Sequence, residues 1–165
     1  MSARDDILRA NAEFARTFEW GGLGAPPSRR LSVVTCMDAR LDPLRLLGLR
    51  PGEAHIIRNA GGLVTDDALR SLVISRTLLA TQEAFVIGHT DCGMVTFTND
   101  QIRGKLRDEL GAEAAHVDFQ PFPDAGERVA ASVRRIRESN LVPDDYRVTG
   151  FVYDVKTGRI DEVEV

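Results

Sequence analysis

The chain has 165 residues, 43% of them hydrophobic and 28% charged, which suits one domain with a core large enough to need no staples. Its net charge of −4 argues against a nucleic-acid surface, since that would need a basic face. The local cluster Arg134, Arg135 and Arg137 reads as a solvated helix side.

No apolar run approaches the ~20 residues that span a bilayer. The opening MSARDDILRANAEF lacks the apolar centre of a secretory signal and is acidic where a transit peptide is not. With only two cysteines, Cys36 and Cys92, the expectation is a cytoplasmic protein whose thiols serve a metal or catalysis rather than a disulfide.

Residues 4–18 predict an amphipathic helix, with Ile7, Leu8, Ala12, Phe14, Ala15 and Phe18 on its stripe. WGGLGAPPSRR breaks every regular pattern and serves as a connector. RLSVVTC predicts a strand whose continuous apolar centre suits a parallel sheet covered on both faces. Asp42 and Pro43 open a short helix that Gly48 ends.

AHIIRNA predicts a second strand, followed by Gly61 and Gly62. Thr65 then caps a helix over 66–80 whose apolar residues wrap beyond one face. EAFVIGH is a third strand. Thr98 and Gln101 form a capping box, and Asp124 with Glu127 opens another helix. RVTGFVYDV is a fourth strand, with a terminal strand, RIDEVEV, after the turn at Thr157-Gly158. Strands alternating with helices predict an α/β fold: a mainly parallel central sheet flanked by helices, with the terminal strand at its edge. The whole chain, 1–165, is expected to be a single domain.

The predicted parallel strands end, in order, at Cys36, at Asn59 with its glycines, and at His89. Ligands of open α/β sheets bind at that edge. His89 and Cys92 form a His-x-x-Cys pair, and Cys36 completes a set of two thiolates and an imidazole that suits zinc. Asp38 either fills the fourth position or borders it. Alone, a strand-end Cys is usually a small buried hydrophobe, and a Cys36–Cys92 disulfide is the other ordinary alternative. Three such residues at matching strand ends favour a metal. His55 and His116 lack metal-ligand neighbours at useful spacing and read as ordinary polar residues. Gly61 and Gly62 suit either a simple turn or close approach of backbone to a small substrate.

CMDAR, then RNAGG, then HTDCGM, in that order, resembles the β-class carbonic anhydrases over about Ser32 to Met94. The resemblance implies Zn²⁺ held by Cys36, His89 and Cys92, and an Asp38–Arg40 pair in which Asp38 either stays on Arg40 or swings onto the metal. It also implies a homodimer or higher homo-oligomer, with residues 1–28, the N-terminal helix and connector, packing on a partner subunit. The expected activity is reversible hydration of CO₂ to bicarbonate and a proton, with zinc-bound hydroxide oriented by the Asp–Arg pair. Two alternatives remain open: hydrolysis of carbonyl sulfide or carbon disulfide at the same site, and a closed, non-catalytic zinc site. No nucleic-acid or membrane partner is expected.

Overall fold

A computed structural model describes residues 2–165. Helix α1 (Ala3–Arg16) opens on Ser2, whose hydroxyl accepts from the Asp5 N–H, and it buries none of its residues against the rest of the chain. Then come β1 (Leu31–Cys36), α2 (Pro43–Leu46), β2 (Ala54–Asn59), α3 (Asp66–Leu79), β3 (Glu83–His89), α4 (Asn99–Leu110), α5 (Ala125–Arg137), β4 (Arg147–Tyr153) and β5 (Ile160–Val163). Single 3₁₀ turns at Ala60–Gly62 and Gly93–Val95, absent from the sequence reading, follow β2 and the Cys92 turn.

The helix boundaries follow their caps. Asp42, Thr65, Thr98 and Asp124 each accept a backbone N–H one turn on, satisfying a donor that has no intrahelical partner. Thr98 and Gln101 make the reciprocal capping box. Helix α1 ends at Arg16, two residues short of the expected limit, and α3 ends where Ala80 turns left-handed.

The sheet runs β2-β1-β3-β4-β5, with β5 antiparallel at the edge and all other pairs parallel. Right-handed crossovers decide which face each helix covers. From β2 to β3 and from β3 to β4 the chain moves in one direction, so α3 and α5 cover the same face. There Val34, Val86, Ala84 and Val148 meet Leu72, Val129, Val133 and Ile136. From β1 to β2 it moves the other way, leaving only the four-residue α2 and its flanks for the opposite face. Leu31, Val33 and Ile87 are covered there by Leu46, Leu47 and Leu49, while Ile56, Phe85 and Phe151 stay only half-buried.

Candidate metal centre

The strand order changes direction between β1 and β3, and those two strands carry Cys36 and His89 at their carboxyl ends. All six residues of β1 are buried, so Cys36 leaves the core on a rigid support. Beyond His89 the chain is pinned to β4. The Thr90 N–H donates to the Tyr153 carbonyl, and the Val155 N–H donates to the Thr90 hydroxyl. Asp91 then turns with a left-handed backbone (φ +53°) and delivers Cys92 beside the other two. The Cys36 and Cys92 sulfurs and an imidazole nitrogen of His89 lie within 4.8 Å of one another, on three buried residues, in a group that could hold a metal ion. Both thiols are free, so the disulfide alternative is not what the structure contains.

His89 tests how well this group suits a metal. Its Nδ1–H donates to the Thr90 carbonyl at 2.8 Å, which leaves Nε2 as the lone-pair nitrogen. Nε2 is buried and has no hydrogen-bond partner among the described residues. Buried polar atoms are normally satisfied, so an imidazole oriented by its far nitrogen and left bare towards two thiols has the arrangement of a ligand.

Burial by itself pushes the Cys36 thiol up. The His89 ring and the backbone N–H groups of Asp38 and Gly61 beside the sulfur outweigh that and lower it from 9.0 to about 7. Burial pushes Cys92 up, the Met94 N–H opposes this, and the Cys36 sulfur adds to the rise. The neighbouring sulfurs resist carrying charge together, which is coupled titration. A cation between them removes that conflict. Burial depresses His89, but the Cys36 sulfur and the Thr90 carbonyl more than offset it and raise it above the ordinary imidazole value.

Asp38 faces Arg40. Nε and Nη2 of Arg40 donate to the two carboxylate oxygens at 3.0 and 2.8 Å, and the Arg40 N–H donates to Oδ1 at 2.9 Å. These bonds hold the Asp38 carboxyl well below the usual carboxylate range. Asp38 Oδ2 lies 3.8 Å from His89 Nε2, at the border of the three-donor group. Arg40 Nη2 also donates to the Asp91 carbonyl at 2.9 Å, tying the pair to the turn that carries Cys92.

Above the donors opens a cavity of about 310 Å³, lined by Cys36, Met37, Asp38, Ala60, Gly61, Cys92, Gly93, Met94 and Phe97. Apart from Asp38 and the thiols its walls are apolar. Gly61 lines it. Gly62 does not: a Cβ there would sit 2.8 Å from the Cys36 backbone nitrogen, so its small size serves a close approach to β1. His55 is hydrogen-bonded between Ser75 and the Ala25 carbonyl, and His116 is exposed, both far from a ligand role. The walls Met94 and Phe97 were not legible as a site, because no spacing signal marks an apolar residue as lining a cavity. Arg58, within AHIIRNA, carries no sequence signal beyond that of a strand residue. Its Nε and Nη2 donate to the carbonyls of Cys36 and Asp38.

A family model described as carbonic anhydrase matches residues 31–160. The chain is 47% identical to β-carbonic anhydrase 1 of Mycobacterium tuberculosis over 163 residues, covering 99% of both proteins. It is 37% identical to a carbon disulfide hydrolase of an Acidianus species, covering 83% of this chain and 78% of that one. The crystal structure of a carbonic anhydrase from Streptococcus mutans superposes with a TM-score of 0.95 at 44% identity, over 99% of each chain.

Proposed function

The chain belongs to the β-carbonic anhydrase family, and from that premise we propose that it hydrates CO₂ reversibly to bicarbonate and a proton, with Zn²⁺ held by Cys36, His89 and Cys92. The observation that carries the reading is the bare Nε2 of His89, buried beside two free, buried thiols. Thiolate and imidazole donors suit zinc, and a set of three leaves one position open for chemistry. Bound there, Zn²⁺ would supply Lewis acidity, which lowers the pKa of water far enough to make hydroxide available as a nucleophile.

The remaining work falls to the chain. Asp38 stays ionised on Arg40, so its carboxylate accepts a hydrogen bond from the attacking O–H and directs an oxygen lone pair at the carbon of CO₂. Arg40 restrains that carboxylate through a two-point, charge-assisted contact and anchors it on the Asp91 carbonyl. Met37, Ala60, Met94 and Phe97 present apolar surface to a linear, nonpolar substrate and limit competing water. The proton that balances bicarbonate leaves to buffer.

The same walls admit other linear molecules. The similarity to a carbon disulfide hydrolase favours carbon disulfide or carbonyl sulfide as the second reading. Stopped-flow hydration of CO₂ by zinc-loaded protein, with both sulfur compounds run beside it, separates the two. Zinc bound at one equivalent with turnover of none of the three would instead mark a closed, non-catalytic site.

The working form in this reading is a homodimer or larger homo-oligomer. Support comes from α1, which buries nothing on its own chain, and from the aromatic cluster Phe14, Phe18 and Trp20, packed ring on ring yet exposed. A second copy is the occupant such surfaces fit. Residues 1–28 therefore act as an arm of the one catalytic domain. Among the described residues no helix is long and apolar enough to cross a membrane. Two free thiols suit a reducing cytoplasm.

A further inference from the structure

Met37 donates its N–H to the Asn59 carbonyl at 2.9 Å, the last backbone bond between β1 and β2 before the chain leaves the sheet. Beyond that point the strand that carries Cys36 has no ladder to hold it. Arg58 takes over. It lies on β2 opposite Thr35, one position before the Cys36–Asn59 pair. Its Nε donates to the Cys36 carbonyl at 2.9 Å and its Nη2 to the Asp38 carbonyl at 2.7 Å.

We propose that Arg58 is a positioning residue for the metal loop, its guanidinium fork spanning the Cys36 and Asp38 carbonyls and so fixing the Met37–Asp38 peptide, whose N–H faces the Cys36 sulfur. The inference rests on the metal reading above and extends it to a residue that touches neither metal nor substrate. The two carbonyls belong to the peptide units on either side of that amide. Holding both stops the unit between them from rotating. The amide N–H therefore stays on the thiolate, and the Asp38 side chain leaves the backbone in the direction that meets Arg40. Gly62, in the turn that follows β2, also approaches this strand closely, since a Cβ there would sit 2.8 Å from the Cys36 nitrogen.

The planar fork makes both bonds in one pre-organised geometry, whereas a lysine ammonium is a compact point charge on a flexible stem and holds two acceptors less rigidly. Without the clamp the carbonyls turn to water, the amide drifts from the sulfur and the three donors lose their common focus. Groups that orient metal ligands in this way typically affect affinity about 10- to 100-fold.

The test compares parent, Arg58→Lys and Arg58→Met. Zn²⁺ affinity is measured by chelator competition, the Co²⁺-loaded proteins by visible absorption, and the metal-free proteins by thermal melting. The expected result is zinc affinity reduced about 10- to 100-fold in Arg58→Met, with partial recovery in Arg58→Lys. Thiolate-to-cobalt and d–d bands should be altered in both, and metal-free melting close to the parent. Parental affinity and spectra in both variants overturn the inference. So does metal-free melting that falls in step with affinity, or failure of both variants to fold, since Arg58 would then be a staple of the fold. A parent that takes up neither zinc nor cobalt removes the metal reading itself, and this inference with it.

Discussion

At Cys36, His89 and Cys92 the chain keeps three electron-pair donors out of water, and each is one of a set with no spare member. Cys36→Ser, His89→Ala and Cys92→Ser should each lose zinc, by at least about tenfold in affinity. Elemental analysis that finds parental zinc in all three variants would remove the site. Asp38 differs, because its carboxylate is engaged with Arg40. Asp38→Ala should keep its zinc and lose most turnover, whereas Arg40→Ala should free the carboxylate to close the site.

The pH behaviour follows from the same pair. Arg40 depresses the Asp38 pKa, so the ionised form is favoured by folding. Its stabilisation is fully present above the unfolded carboxyl value of 3.8 and is lost as pH falls through the lower folded value. In metal-free protein, the melting difference between parent and Asp38→Asn should therefore be constant at neutral pH and shrink only in acid. Asp38 consequently supplies no limb of a rate profile near neutrality. CO₂ hydration is expected to rise into the alkaline range, because the Cys36 and Cys92 thiolates would offset the charge of a bound Zn²⁺ and leave it less able to acidify water than a three-imidazole site, which reaches about 7. A flat rate from about pH 6 to 9 contradicts this.

Among the elements, α5 packs directly on the sheet. Gly150 of β4 packs directly beneath it: a Cβ there would lie 2.6 Å from Val129 Cγ1 and 3.1 Å from Val133 Cγ2. Both valines are buried, and neither can move without disturbing the core between α5 and β3. Gly150→Ala should cost about 1–3 kcal/mol in urea unfolding, the usual range for overpacking. A change within about 0.5 kcal/mol of the parent, as for an ordinary surface substitution, would show that α5 can lift away freely. Because α5 also carries Ala125, which packs beside the Cys36 and Cys92 cluster, the variant is expected to loosen the cavity as well.

For the whole molecule, the decisive feature is what a single copy leaves uncovered. Helix α1 keeps Ile7, Leu8 and Phe14 exposed, α3 keeps Leu78 74% exposed, and the sheet face under α2 shows half-buried Ile56, Phe85 and Phe151. Surfaces of this kind mark interaction sites. Trp20 is the one tryptophan and is 42% exposed in the single chain, so its emission reports association directly. Light scattering should give a dimer or larger species at micromolar concentration, and dilution should shift the Trp20 emission to the red. A stable, active monomer with emission independent of concentration would refute the assembly.

Strands, helix starts and the three donors were legible in the sequence because each rests on local chemistry. Apolar runs mark buried strands, Thr65, Thr98 and Asp124 cap the helices that follow them, and Cys36 and His89 close two strands that an α/β fold must align at one edge. Tertiary structure decided the remainder. That Gly61 lines the cavity while Gly62 presses on Cys36 depends on how β2 turns against β1. That Arg58 spends its fork on two carbonyls, and that Met94 and Phe97 become walls, follows from contacts across strands. Such contacts leave no periodic trace, because a residue's partner across a sheet is set by register and crossover rather than by its sequence neighbours.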